Sequence, residues 1–335
     1  FFTSILLMKE EEVLVAYDDD ASPVSQQGRS VILIRNMKLK DVSNCYTLGQ
    51  KLFAFSSSLS RTFDRFVVIG GYSNNPEYSL VAELGGQIIG FCLGNTVRKE
   101  KLIGYLSWIA VDPAYQRKGI GSMLYERVEE RMKEESITEV LVDTPITNTA
   151  AIKFLNTLGF GNPVKQVYLS KNLPETETPF VSADPSITVR LMRIEDIWPV
   201  YQIGETVFTK DAVNLYRFWD ETQVTDAYES DGDLALVAEK DGNVIGFGLG
   251  STLERIEHKF GYLIWLAVSP DTHSRGVGSY IYHEYEKLIK ENFPEIRTII
   301  VDTQASNKGA IKFFSRLGFQ ISDTFIYLNK IPREE

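Results

Sequence analysis

At 335 residues the chain exceeds one typical domain, and its 44% hydrophobic and 24% charged content is that of an ordinary globular protein. The formal net charge of −10 argues against a nucleic-acid partner, and two cysteines, Cys45 and Cys92, make neither a disulfide framework nor a paired metal-ligand spacing. No apolar run reaches the roughly 18 to 20 residues of a membrane span and the opening FFTSILLM lacks a basic leader, so a cytoplasmic protein with no membrane partner and no metal is expected.

In chain order, residues 1–30 read as an N-terminal extension, partly flexible, with a short strand at Val13 to Ala16; the residues ahead of Met8 read as a tag or upstream addition. From there the same passages occur twice in the same order. IRNMKLKDV from Ile34 returns as VRLMRIEDI from Val189, and VAELGGQIIGFCLG from Val81 returns as VAEKDGNVIGFGLG from Val237. YLSWIAVDPAYQRKGIGSMLY from Tyr105 returns as YLIWLAVSPDTHSRGVGSYIY from Tyr262, and VDTPITNTAAIKFLNTLGF from Val142 as VDTQASNKGAIKFFSRLGF from Val301. An offset of 155 to 159 residues is far too long for a solenoid, so the chain is a duplicated domain. The copies run over 31–171 and 187–335, joined by a polar, Pro-bearing linker at 172–186.

Within each copy two apolar strands meet at a tight turn, Gly85-Gly86 or Asp241-Gly242, with Glu83 and Glu239 read as solvated residues before it. A third, largely apolar strand, Leu102 to Val111 in the first copy, extends the meander. After a glycine loop, Leu124, Val128 and Met132 recur every four residues and Ile281, Tyr285 and Leu288 repeat the register, which predicts an amphipathic helix. A short strand (Glu139 to Asp143; Thr298 to Asp302), a helix opening at Asn148 or Asn307, and a final strand near Val167 or Ile326 complete each copy. The class is α/β, mixed rather than purely parallel.

The loops Gln116-Arg117-Lys118-Gly119-Ile120-Gly121 and His273-Ser274-Arg275-Gly276-Val277-Gly278 each join a buried strand to an amphipathic helix. Such a loop brings successive backbone N–H groups onto an anion, and the helix start adds partial positive charge. Phosphate is the natural guest. A Walker loop would need Lys-Ser or Lys-Thr after the last glycine, whereas Ser122 and Ser279 follow glycine directly. A dinucleotide fingerprint would need a third Gly or Ala where Leu124 and Ile281 stand.

The run Ile109-Ala110-Val111 followed by Gln116-x-x-Gly119-x-Gly121, with Asn148 and Asn307 at helix starts and Leu158-Gly159-Phe160 and Leu317-Gly318-Phe319 at helix ends, resembles the GNAT superfamily of N-acetyltransferases. The resemblance spans about residues 31 to 171 and 187 to 330. It implies two tandem GNAT-type (acyl-CoA N-acyltransferase) domains, each a mixed, mostly antiparallel sheet flanked by helices, with splayed fourth and fifth strands. It further implies acetyl-CoA as cofactor, its pantetheine paired with backbone at Ile109, Ala110 and Val111 and at Leu266, Ala267 and Val268. The pyrophosphate would meet Gln116, Arg117, Lys118, Gly119, Ile120, Gly121 and Ser122, and in the second copy Arg275, Gly276, Val277, Gly278 and Ser279, with Asn148 and Asn307 near the cofactor.

Two family features are missing. Many members carry a Glu base at the start of the fourth strand, where this chain has Tyr105 and Tyr262, and a Tyr acid before the Leu-Gly-Phe run, where it has Leu155 and Phe314. Tyr105 and Tyr262, with Tyr168 and Tyr327 on the last strands, are the candidate proton-transfer residues. The function expected is acetyl transfer from acetyl-CoA to a primary amine, on a small molecule, a protein N-terminus or a lysine; an acyl-CoA-binding protein with one or both domains inactive is the alternative. Residues 1–172 carry 19 basic against 19 acidic residues and the remainder 16 against 26, so the second domain is expected to favour a cationic acceptor, through Asp220, Glu221, Asp226, Glu229, Asp231 and Asp233. The assembly expected is a monomer or homodimer.

Overall fold

The computed structural model describes residues 6–7, 14–17, 31–53, 62–98, 102–174, 184–208, 218–255, 258–272 and 276–331. They form two compact units, Phe1–Pro163 with Ile326–Glu335, and Val164–Phe325. The class is mixed α/β in both.

The first unit runs β1 (Leu6–Leu7), β2 (Leu14–Tyr17), β3 (Val31–Asn36), α1 (Val42–Phe53), α2 (Arg65–Asn74), β4 (Ser79–Leu84), β5 (Gln87–Arg98), β6 (Leu102–Val111), α3 (Ile120–Glu134), β7 (Val140–Pro145) and α4 (Thr149–Thr157). Its strands lie side by side in chain order from β1 to β7, antiparallel except for β2 with β3 and β6 with β7. After β8 (Gly161–Asn172), the second unit repeats the plan as β9 (Ile187–Leu191), α5 (Ile197–Val207), α6 (Glu221–Asp231), β10 (Ala235–Lys240), β11 (Asn243–Arg255), β12 (His258–Val268), α7 (Val277–Asn292), β13 (Thr298–Gln304), α8 (Lys308–Arg316) and β14 (Gln320–Lys330). Its strand order is β8-β13-β12-β11-β10-β9.

Local chemistry explains these elements. The β4–β5 turn holds Gly85 and Gly86 at φ 56° and 85°, and the β10–β11 turn holds Asp241 and Gly242 at 50° and 77°, the positive pair that suits a right-twisted two-residue hairpin. On α3, Leu124, Val128 and Met132 are fully buried; each such side chain contributes about 1.5–3 kcal/mol by leaving water. On α7 the buried stripe is Ile281, Tyr285 and Ile289, so the third position falls one residue beyond the expected Leu288. Asn148 and Asn307 cap α4 and α8, accepting from Ala151 N at 3.2 Å and Ala310 N at 3.0 Å.

The repeated Arg and Asp of IRNMKLKDV and VRLMRIEDI also find a purpose. Arg35, 3% exposed, donates to Asp41 at 2.6 Å and to Glu83 at 2.5 Å; Arg190 does the same with Asp196 at 2.6 Å and Glu239 at 2.7 Å. Glu83 and Glu239 are therefore ion-pair partners that tie β4 to β3 and β10 to β9, and not the solvated turn residues expected from the sequence.

The units do not divide at residues 172–186. β8 pairs antiparallel with β13, from Gln166 opposite Gln304 to Asn172 opposite Thr298, and its Val167 and Leu169 lie in the second unit's core. Lys171 reaches α7, 2.6 Å from Glu286 and 4.8 Å above the Tyr282 ring. The end of β14 belongs to the first unit instead, where Leu328 joins the core with Val142 and Phe160 and Lys330 sits 2.5 Å from Glu129 and 4.9 Å above Tyr125. Each unit thus closes with the last strand of the other copy. QVYLSK and FIYLNK carry the same pattern, so either strand suits either socket and the choice is invisible locally.

Candidate active site

Both units open their sheet at the same place. Between β5 and β6, Leu93 faces Trp108 but Gly94 faces Leu106, leaving Ser107 as the extra residue of a bulge; between β11 and β12 the extra residue is Ile264. A bulge bends its strand. β6 pairs with β7 only from Gly104 to Leu106, and β12 with β13 only at Gly261 and Tyr262. Beyond those contacts the parallel neighbours part, so Ile109, Ala110 and Val111, like Leu266, Ala267 and Val268, have a sheet partner on one side and an opening on the other. In the second unit this opening is a cavity of about 310 Å³ whose wall includes Leu266, Ala267, Val268, Gly278, Asn307 and Phe313.

The glycine loops stand at the mouth of each gap. Gly119 caps α3 at φ 77° and Gly276 caps α7 at φ 94°, a left-handed turn that aims the first helical N–H groups outward. Arg117 shares that region at φ 62°. The Gln116 amide donates to the Val111 carbonyl at 2.9 Å and so pins the loop to its strand. The side chains of Ile120 and Val277 are buried in the cores, which leaves only their backbone available at the loop. A Cβ on Gly121 would lie 3.1 Å from the Phe154 ring, and one on Gly278 3.4 Å from Phe313. Arg117 and Lys118 are exposed, and Ser122 and Ser279 half-buried. Arg275, with residues 273 and 274, lies outside the described residues.

At the narrow end of each gap the structure joins two residues that the sequence reading kept apart. The Tyr105 hydroxyl donates to Asp143 Oδ1, and the Tyr262 hydroxyl to Asp302 Oδ1. The Gln166 side chain donates to Asp302 Oδ2 at 2.6 Å. The two aspartates were not among the expected site residues. Their signal was an acid at the same position of an apolar strand in both copies, Val142-Asp143-Thr144 and Val301-Asp302-Thr303.

The strand exchange also moves two expected residues. Tyr168 belongs to the second unit, opposite Asp302 in the register and edge-on to Phe325 at 5.4 Å, while Tyr327 is buried in the first. Leu155 and Phe314 are buried, and Phe314 lines the cavity.

A duplicated aromatic cluster backs each bulged strand. Trp108 packs on Phe53 at 4.8 Å and Phe63 at 5.1 Å, and Trp265 on Phe208 at 4.6 Å and Trp219 at 5.2 Å. The rings fit because α1 and α5 carry Gly49 and Gly204, where a Cβ would fall 2.1 Å from Phe63 and 1.9 Å from Trp219. The acidic segment of the second unit is helix α6 and not a loop. Asp220 caps it by accepting from Gln223 N at 3.1 Å, Glu221, Asp226 and Glu229 face solvent, and none of its acids lines the cavity. No helix among the described residues is long and apolar enough to cross a membrane.

The Acetyltransferase (GNAT) family model matches residues 44–160 and 197–319. N-alpha-acetyltransferase 30 of Xenopus laevis is 35% identical over 89 residues, 26% of this chain and 33% of that protein, so the chain spans about a third of that relative's length. The [ribosomal protein bS18]-alanine N-acetyltransferase of Escherichia coli strain K12 is 30% identical over 129 residues, 38% of this chain and 79% of that protein. Among solved structures, the tandem GNAT protein from the clavulanic acid biosynthesis pathway superposes with a TM-score of 0.66 at 14% identity, over 91% of this chain and all of that one. The GCN5-related N-acetyltransferase from Sphaerobacter thermophilus does so with a TM-score of 0.69 at 16% identity, over 91% of this chain and 97% of that one. These two likenesses concern fold alone. Two family segments, each with a parted strand pair and a glycine-capped helix, place this chain in the GNAT family as a tandem GNAT acetyltransferase.

Proposed function

We propose that the protein transfers an acetyl group from acetyl-CoA to a primary amine, and that this amine is the N-terminal α-amino group of a peptide. The observation that carries the reading is the parting of β12 from β13 beside a glycine-capped helix, which makes one cavity with a strand edge along it and N–H groups at its mouth. The choice of a peptide acceptor draws on the relatives, one named for N-alpha-acetylation and the other for acetylation of an alanine of ribosomal protein bS18.

Acetyl-CoA supplies a thioester whose carbonyl carbon accepts the amine. In this reading the open edges at Ile109 to Val111 and Leu266 to Val268 hold the pantetheine arm. The N–H groups from Gly119 to Ser122 and from Gly276 to Ser279 hold the pyrophosphate, helped by the helix dipole and by the cations of Arg117, Lys118 and Arg275. Asn148 and Asn307 act indirectly, by fixing where α4 and α8 begin. Tyr105 and Tyr262 stand at the narrow end, where the reacting atoms would meet.

The absence of the family's usual Glu and Tyr favours one other reading, acyl-CoA binding without turnover. Coenzyme A release by the intact two-unit chain separates the two. The acceptor panel should contain a peptide with a free N-terminus, the same peptide N-blocked with an internal lysine, and a polyamine, alongside calorimetric binding of acetyl-CoA. Fastest release with the free N-terminus is the expected result. Binding with no release from any amine would leave only the second reading, and absence of binding would overturn both.

A further inference from the structure

The second unit's cavity takes its wall from both layers that cover the sheet. Leu266, Val268 and Phe313 come from the core packed against α7 and α8, whereas Val207, Phe208, Ile264 and Trp265 come from the core packed against α5 and α6. Pleating alone puts neighbours on opposite faces, but the bulge brings both Ile264 and Trp265 to the α5 side. The glycine-capped start of α7 lies on the other side, so a pyrophosphate held there brings the cofactor in from the α7 face and leaves the α5 face to the acceptor. Ile264, half-buried, borders that acceptor side. In the first unit the same bulge carries Ser107, also half-buried, and its setting is otherwise kept: Leu106-Ser107-Trp108 matches Leu263-Ile264-Trp265, and Phe53 packs on Trp108 as Phe208 does on Trp265. Duplication has kept the bend and the rings and exchanged an aliphatic side chain for an alcohol at the bulge itself.

We propose that the bulge residue selects the acceptor by the polarity of the side chain next to its amine, Ile264 taking an apolar first residue in the second unit and Ser107 a polar one in the first. The inference rests on the peptide acetylation proposed above and names the acceptor class of each unit. An amine that reaches the thioester within the gap leaves its own side chain beside the bulge. Against Ile264, Val207 and Phe208 an apolar side chain gains by leaving water, whereas a carboxamide of the same size gives up its hydrogen bonds to water. At Ser107 the aliphatic contact is gone and the wall is polar, so the balance moves toward the polar residue. One duplicated scaffold then serves two acceptor classes through a single position of each copy.

The test uses the intact chain with one unit silenced at a time, the first by Gly121→Glu and the second by Gly278→Glu, each of which puts a carboxylate at a glycine loop. Two peptides differ only in beginning with leucine or asparagine, residues of nearly one shape. With the first unit silenced, kcat/KM should favour leucine, and Ile264→Ser should move the leucine-to-asparagine ratio toward asparagine by about tenfold to a hundredfold, mainly through KM. With the second silenced, Ser107→Ile should move the ratio the other way by a similar factor. A purely structural role for either residue would lower both peptides alike, and an unchanged ratio in either variant would overturn the proposal. Should Ile264→Ser melt early, Ile264→Val and Ile264→Thr share a shape and exchange a methyl for a hydroxyl; the threonine variant must lie nearer asparagine, and identical ratios also overturn it. If wild type releases no coenzyme A with either peptide, the acetylation reading fails, and calorimetric binding of the same two peptides to wild type and to Ile264→Ser decides the subsite separately. Weakened leucine binding with asparagine binding undiminished supports it, and equal changes overturn it.

Discussion

The two units share the parts around the parted strands almost residue for residue and differ in what surrounds them. Both have a bulge on the fourth family strand, a left-handed glycine before the helix, and a Tyr–Asp pair at the narrow end. Away from these the copies diverge. Phe63 of the first aromatic cluster becomes Trp219 in the second, whose indole N–H donates to the Tyr201 carbonyl at 3.0 Å. The Arg35 side chain is 3% exposed and the Arg190 side chain 23%. Duplication has kept the geometry that opens a sheet and has let the neighbouring walls change, which is how one fold comes to serve different acceptors.

The comparison breaks most severely if the exchanged strand is removed. Deleting residues 326–335 takes Leu328 and Lys330 from the first unit, and calorimetric melting should then lose the first unit's transition while the second's persists. Two unchanged transitions would refute the exchange.

Next in size is the contrast between the buried arginines. Arg35→Ala strands Asp41 and Glu83 in the core and should cost about 3–5 kcal/mol, against about 1–2 kcal/mol for Arg190→Ala at its more exposed site. Urea denaturation measures both, and equal losses would mean that burial does not set the difference.

Gly121→Glu places bulk against Phe154 and negative charge where the pyrophosphate is proposed to lie, and should weaken acetyl-CoA binding in the first unit at least a hundredfold. Titration calorimetry should then count one tight site per chain, where two are expected of wild type. Undiminished stoichiometry would remove the loop from the binding site.

A smaller effect is expected from Tyr105→Phe and Tyr262→Phe. Each removes one hydrogen bond to an aspartate and should lower kcat about tenfold on its own unit, with acetyl-CoA affinity unchanged.

The smallest effect concerns acid. Burial pushes the Asp41 and Asp196 carboxyls up, but hydrogen bonds from Arg35 and Arg190 and from the Lys38 and Arg193 amides outweigh it, so both sit below their ordinary 3.8. Their stabilisation is therefore complete above that value and lost as pH falls from it through the lowered folded value. Arg35→Ala and Arg190→Ala should each flatten this part of the acid-unfolding curve, and an unaltered slope would assign the acid sensitivity elsewhere.

Much of this molecule was readable from residues that act on near neighbours. β6 begins and ends where its apolar run does, Asn148 and Asn307 cap the helices they precede, and the hairpin turns carry residues suited to positive φ. What escaped depends on partners far along the chain. Glu83 looked solvated because its partner Arg35 is 48 residues away, and Asp143 passed for a polar strand residue because Tyr105 lies 38 residues earlier. The exchange of β8 and β14 escaped because two interchangeable strands present the same face to either socket.

That exchange also has a consequence for synthesis. As the nascent chain grows, the second unit's borrowed strand, β8, is made before anything it must pair with, whereas the first unit waits for residues 326–330. At the usual pace of translation that wait is on the order of 10 to 30 seconds. Throughout it the outer edge of β7 lacks its last neighbour, and an unpaired edge is a site for misassociation and for chaperone capture. The half of the protein made first is thus the half completed last.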